Sequence, residues 1–232
     1  KSDYQKQIKN IECKLICIDD IHDKHYISDL VINHGPGLTE DQFSVEHYTK
    51  LCLGLDYALL RKPFLNVVQH KRTETKKCLV CIGGADKHNI TSKILNLLER
   101  NVNIEAVDVI IGSSFLFKTE LENSINCSKK EVNLYTGLSS YEMLDRMQLA
   151  DFGIFPASSI SLEAISVGLP FMVGYYVENQ KELYDNLTKV YNVFGLDNLL
   201  DIDRLLIDDF DISHKFRTIN SSMNLKKVFK KL

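Results

Sequence analysis

The sequence predicts an α/β protein built on a doubly wound parallel sheet, and three observations point that way. From residue 76 onward, short apolar runs alternate with segments of helical periodicity. The runs are apolar throughout, the pattern of strands covered on both faces. Where two of them end, at Gly83-Gly84 and Ser158-Ser159, the residues are those of a tight strand-to-helix turn.

The elements follow in order. "KKCLVCI" (76–82) reads as a buried strand and "GGADKHN" as a loop, and "ITSKILNLLER" is a helix with Ile90, Ile94, Leu97 and Leu98 on one face. "IEAVDVIIG" is a strand, "FLFKTELENSI" a helix and "EVNLYTG" a strand. "SSYEMLDRMQLA" is a helix opened by a Ser139-x-x-Glu142 capping box. "DFGIFP" is a strand, and "SSISLEAISVG" a helix stopped by Gly168 with Pro170 just beyond. "PFMVGYYV" is the last clear strand, followed by a helix over "QKELYDNLTKVYN".

Residues 1–60 break this rhythm. "CKLICIDD" is a strand ending in two aspartates, and "DLVINHGPG" a strand ending in a Gly/Pro loop. These are too few strands for a full α/β domain, so residues 1–62 are expected to be the remnant of an N-terminal α/β domain with its interdomain segment. Residues 63–232 are expected to form a C-terminal Rossmann-like domain. "NSSMNLKKVFKKL" at the end reads as a basic amphipathic helix that packs on the protein.

Composition removes several function classes. The 232 residues are 44% hydrophobic and 25% charged, as in ordinary globular chains. A net charge of -3 gives no electrostatic case for nucleic acid or an anionic membrane as main partner. The longest apolar runs, such as "GLPFMVGYYV", fall far short of the ~20 residues of a membrane span. The opening "KSDYQKQIKN" has no apolar core of a signal peptide and no initiator methionine, so the chain is expected to be processed or part of a longer protein. Of the six cysteines, Cys78 and Cys81 have CxxC spacing without a second pair. Buried free thiols are expected rather than a metal or redox site, which fits a cytoplasmic location.

Four places could carry chemistry. Gly83-Gly84 lets the backbone turn sharply and approach a ligand, and the amides opening the next helix suit a phosphate. The alternative is a simple tight turn. Ser158 and Ser159 occupy the same position after a later strand, and either could instead be a plain helix cap. With Ser159 as N-cap, Glu163 falls at N4, so a capping box does not explain it. Its carboxylate could accept hydrogen bonds from vicinal ribose hydroxyls above the strand ends, or simply face the helix dipole or solvent. Asn179-Gln180 follows the next strand and offers neutral amides for sugar hydroxyls or a water.

Together, "IGGADKHNITSKIL", "LADFGIFPASSISLEAISVGLP" and "VENQ" resemble the C-terminal domain of the bacterial hydrolases that release UDP from UDP-2,4-diacetamido-2,4,6-trideoxy-β-L-altropyranose in pseudaminic acid synthesis. "IDDIHDKHYISDLVIN" and "YALLRKPF" are similar to the interdomain part of the same family, which belongs to the MurG-like superfamily of GT-B fold. The resemblance covers most of residues 11–185. It implies that Gly83, Gly84 and Asp86 form the first nucleotide-side loop, that Ser158 and Ser159 hold the diphosphate, and that Glu163 reads the ribose. It places Asn179 in the reaction centre, where a water faces the anomeric carbon, with Gln180 beside it; no metal or other cofactor is implied. The family's G-x-G-H-x-x-R segment, with the expected histidine base, has no counterpart here. His22, His25, His34, His47, His70, His88 and His214 sit in other contexts. The expected function is UDP-sugar binding and hydrolysis, with this chain as the nucleotide-binding portion and the N-terminal domain of the same protein as partner. Alternatives are a GT-B glycosyltransferase with a UDP-sugar donor, or a non-catalytic nucleotide-sugar-binding module.

Overall fold

The computed structural model describes residues 2–69, 72, 75–213, 215–217, 219 and 221–232. Its contacts divide the chain into two units, Lys1–Leu60 with Ile219–Leu232, and Arg61–Thr218.

The first unit opens with α1 (Ser2–Lys9), followed by β1 (Ile16–Ile18), β2 (His25–Tyr26), β3 (Leu30–Asn33), β4 (Ser44–Val45) and β5 (Lys50–Leu53). A three-stranded parallel sheet has the order β1-β3-β5, and β2 pairs with β4. Alternation along β3 sends Leu30 and Ile32 to one side and Val31 to the other. The first side is closed by the C-terminal helix (Ser221–Phe229), whose Leu225 and Val228 pack with Leu30, Ile32 and Cys52. The sequence boundaries group this helix with residues 63–218; its apolar face instead completes the first unit.

Asp29 ties the start of this sheet together. Its carboxylate accepts hydrogen bonds from Lys9 Nζ at 2.6 Å and the Leu15 amide at 2.8 Å. Burial pushes its pKa up, but the Lys9 hydrogen bond, the Leu15 amide and the charges of Lys9 and Lys14 outweigh it and hold the carboxyl at about 2.

The second unit comprises β6 (Lys77–Val80), α2 (Ile90–Leu98), β7 (Ala106–Ile111), α3 (Lys118–Asn126), β8 (Glu131–Thr136), α4 (Ser140–Leu149), β9 (Phe152–Pro156), α5 (Ser159–Val167), β10 (Phe171–Tyr175), α6 (Lys181–Tyr191) and β11 (Phe194–Asn198). The sheet order is β11-β10-β9-β6-β7-β8, with every pairing parallel. The chain therefore starts in the middle with β6, adds β7 and β8 to one side, and returns to add β9, β10 and β11 on the other. Strand order reverses between β6 and β9, where a doubly wound sheet opens its ligand crevice. The strand β11 lies beyond the last expected one. It is a half-buried edge strand, and Phe194 and Leu196 alone supply its large apolar side chains.

Both faces of this sheet are covered. Cys78, Val80, Val107 and Val109 pack with Ile90, Ile94 and Leu98 of α2 and Leu121 of α3. Asp108 points the other way, fully buried and paired with Lys77 at 3.0 Å, with Arg146 of α4 at 3.8 Å. Phe152, Phe155 and Phe171 are fully buried, each contributing roughly 1.5–3 kcal/mol. The expected capping box opens α4: Ser139 Oγ accepts from the Glu142 amide at 3.3 Å, and Glu142 Oε2 accepts from the Ser139 amide at 2.8 Å. Gly168 ends α5 at φ 71, in the left-handed conformation.

The segment before β6 binds down the helices on that second face. Gln69 Nε2 donates to the Ile165 carbonyl at 3.0 Å, near the end of α5. Arg72 donates to the carbonyls of Ala150 at 2.9 Å and Gln148 at 3.0 Å, at the end of α4. The Gln148 and Ala150 carbonyls are terminal groups that α4 cannot satisfy internally, whereas the Ile165 carbonyl also accepts from the Gly168 amide at 3.1 Å.

Candidate functional site

The candidate site lies where β6, β9 and β10 end side by side. Beyond β6, the Cys81 amide still reaches across to the Ile154 carbonyl of β9 at 3.3 Å. Burial pushes the Cys81 thiol up to about 11, against the lowering effect of the Gly83 amide and Arg61. Gly83 has φ 101, which only glycine adopts without strain. Gly84 is exposed, and a Cβ built on it would meet nothing within 4 Å. Its backbone lies against Gly112, the residue after β7, where a Cβ would come 2.1 Å from the Gly84 carbonyl oxygen. The glycine pair thus presents bare main chain to the crevice.

The start of α2 differs from expectation. Its amides are not open to a phosphate, because Asp86 takes them: Oδ1 accepts from the Ile90 amide at 2.9 Å and Oδ2 from the Thr91 amide at 2.7 Å. Asp86 is 2% exposed, with φ 35, and acts as an internal helix cap rather than an open ligand group.

The corresponding start of α5 has no such plug. The helix begins at Ser159, with extended Ser158 as N-cap, and the Ser158 side chain makes no capping hydrogen bond. The N-cap is one residue earlier than expected, which moves Glu163 to N5. Ser161, inside the first turn, turns its hydroxyl back to the Pro156 carbonyl at 2.7 Å. Ser158 is half-buried and Ser159 exposed at the rim.

Glu163 does not stand as an open acid above the strand ends. Its side chain is 5% exposed, and both oxygens are forked by Arg61: Nε to Oε1 at 2.6 Å and Nη2 to Oε2 at 2.7 Å. Arg61, at 44% exposed, is the member of the pair that reaches solvent. Its guanidinium carbon sits 5.3 Å from the centre of the Phe64 ring.

Past β10, Tyr176 bridges the rim. Its hydroxyl donates to the Ile82 carbonyl at 3.2 Å, and its amide donates to Gln180 Oε1 at 3.1 Å. Gln180 is buried, with that oxygen committed to the loop; Asn179 beside it is exposed. His88, from the loop after Gly84, places its ring edge-on to Tyr176 at 6.5 Å. Arg61, Tyr176 and Gly112 are the residues sequence reasoning missed. Among the described residues no group of three or more His, Cys, Asp or Glu is placed to hold a metal ion. His70 and His214 lie outside the described residues. A cavity of about 410 Å³ opens beside β11, lined by three aspartates (Asp197, Asp201 and Asp203) against one cation, Arg204, a balance that disfavours phosphate.

No family model matches the chain. It is 30% identical over 203 residues to an uncharacterized protein of Methanocaldococcus jannaschii, covering 82% of this chain and 41% of that protein. It is 28% identical over 183 residues to the spore coat polysaccharide biosynthesis protein SpsG of Bacillus subtilis, covering 75% of this chain and 52% of SpsG. The chain therefore spans about half, or less, of the length of these curated relatives. Among solved structures, the glycotransferase of kitacinnamycin superposes with a TM-score of 0.50 at 13% identity, over 76% of this chain and 43% of that one. At that identity the likeness shows the fold alone, the GT-B-like α/β architecture that the sequence predicts. Among the described residues no helix is long and apolar enough to cross a membrane.

Proposed function

We propose that this chain carries the nucleotide-binding portion of an enzyme acting on a UDP-sugar. The observation that carries the reading is the pair of strand exits at the switch point: bare Gly83-Gly84 main chain on β6, and an α5 start without a side-chain cap on β9. In this proposal the diphosphate lies at Ser158-Ser159, the nucleoside approaches over Gly83 and Gly84, and the sugar lies toward Asn179 and Gln180. Asn179, exposed beside a fixed loop, holds a water for attack at the anomeric carbon, which breaks the sugar C–O bond and releases UDP. A 6-deoxy diacetamido sugar is the substrate that the motif resemblance favours. SpsG, by name a polysaccharide biosynthesis protein, supports a sugar-nucleotide role. The glycotransferase fold supports the second reading, transfer to an acceptor instead of water.

Calorimetric titration with UDP, with ADP as control, tests the binding claim. Micromolar uridine-selective binding that survives a chelator is expected, and absence of binding by the wild type defeats it. For the reaction, Asn179→Ala in whatever form of the protein turns over a UDP-sugar is expected to keep UDP affinity and abolish release of UDP in water. Retained turnover removes Asn179 from the mechanism, and turnover only with an added acceptor favours transfer.

A further inference from the structure

We propose that Arg61 is the ligand-facing cation of this site and that Glu163 is its positioning residue. The inference rests on the reading that the second unit binds a nucleoside diphosphate. Three observations carry it.

The first is the division of exposure within the pair. The carboxylate is 5% exposed with both oxygens engaged, whereas the guanidinium is 44% exposed. Burial of the carboxylate, more than the fork, keeps vicinal hydroxyls from its remaining lone pairs, whereas an approaching ligand meets the more exposed Arg61 first.

The second is the donor count. A guanidinium has five N–H donors in a rigid plane. The fork uses Nε and Nη2, which leaves Nη1 without a hydrogen bond among the described residues. One edge of the plane is anchored and the other is available, the arrangement that suits two-point binding of a phosphate. Phe64, 5.3 Å from the guanidinium carbon, further limits how the plane can turn.

The third is place. Cys81, just past β6, interacts electrostatically with both Arg61 and Glu163. Glu163 itself rises from the second turn of α5, the helix that follows β9 beside β6 where sheet order reverses. The Asp86 carboxylate closes the start of α2, so Arg61 supplies positive charge to a rim where one of the two helix starts is already occupied.

The test measures affinities of UDP, uridine, 2′-deoxy-UDP and inorganic pyrophosphate for the wild type and for Arg61→Lys, Arg61→Met and Glu163→Gln. Melting temperatures are followed in parallel. Loss of charge-assisted hydrogen bonds predicts that Arg61→Met weakens UDP and pyrophosphate by about tenfold or more, with uridine unchanged. Arg61→Lys, which keeps the charge without the plane, falls between wild type and Arg61→Met. Glu163→Gln, which loosens the anchor, lowers UDP and pyrophosphate together, and wild type holds UDP and 2′-deoxy-UDP alike. If Arg61→Met does not fold, Arg61→Met combined with Glu163→Met removes both charges at similar volume; it is expected to fold and still not bind pyrophosphate.

Unchanged pyrophosphate affinity in the Arg61 variants overturns the proposal. So does a marked preference for UDP over 2′-deoxy-UDP that Glu163→Gln abolishes, which returns the ribose to Glu163. Arg61-dependent pyrophosphate binding without any preference for uridine leaves this assignment standing and defeats the UDP reading. Binding of neither UDP nor pyrophosphate by wild type defeats both.

Discussion

The glycines at the ends of β6 and β7 should respond to alanine in three different ways, and the differences follow from local geometry. At Gly84 a Cβ meets nothing within 4 Å and the backbone is outside the left-handed region. Gly84→Ala should therefore stabilise by about 0.4–1 kcal/mol, because alanine restricts the unfolded chain without straining the folded one. At Gly83, φ 101 forces an alanine into strained backbone, at a cost of about 1–3 kcal/mol. At Gly112 the new methyl would lie 2.1 Å from the Gly84 carbonyl oxygen and 2.5 Å from its Cα. Main chain cannot rotate aside as a side chain can, so Gly112→Ala should cost about 1–3 kcal/mol or more. Urea unfolding of the three variants gives the ranking directly, provided the slope with denaturant stays constant. A destabilised Gly84→Ala, or a neutral Gly112→Ala, would refute this account of the loops. The same series addresses ligand binding: Gly84→Leu should fold as wild type yet lose UDP if the nucleoside lies over that residue. Unchanged UDP affinity in a folded Gly84→Leu would move the nucleoside elsewhere.

Asp86→Ala should cost about 1–2 kcal/mol of stability through loss of the α2 cap, seen as a lower urea midpoint; an unchanged midpoint would mean that the cap contributes nothing. Asp29 has its folded pKa depressed to about 2, so its stabilisation is fully present above the ordinary carboxylate range near ~4. That stabilisation is lost as pH falls from about 4 through about 2, and the acid side of the stability profile should flatten in Asp29→Asn; an identical profile would refute the linkage. Iodoacetamide at pH 8 should modify exposed Cys127 well before buried Cys81, whose thiol is pushed up to about 11, and mass spectrometry of labelled peptides reads the order.

The sequence carried the second unit well because its signals are local. An all-apolar run of five or six residues, a Ser-x-x-Glu box and a Gly stop each act within a few residues. The edge strand β11 escaped because a strand with one neighbour needs little apolar side chain, and "FGLDN" has no run to find. The Asp86 cap escaped for a different reason. Asn89 stands directly before the helix, and only the left-handed backbone at 86 and 89 brings the earlier carboxylate onto the Ile90 and Thr91 amides. Arg61 and Glu163 are 102 residues apart, and no spacing rule links them. A lone arginine before Lys-Pro in the apolar stretch "YALLRKPF" was the one visible hint that its charge needs a partner. Tyr176 was hidden within a run of apolar residues, although its hydroxyl turned out to connect two strand exits.

Because Leu225 and Val228 close the side of the first sheet that holds Leu30 and Ile32, that unit is assembled from two segments separated by the whole second unit. On the ribosome, Lys1–Leu60 is made before Arg61–Thr218, yet its core must wait for the whole of that stretch to be made before the covering helix arrives. At about 5–20 residues per second the delay is on the order of ten seconds or more, far longer than helices and hairpins need to form. During that interval Leu30, Ile32 and Cys52 are uncovered, while the second unit, whose residues are contiguous, can close on its own. Early exposure to chaperones or proteases should therefore fall on Lys1–Leu60, and a chain stopped before residue 219 should keep a folded second unit beside an unstable first one.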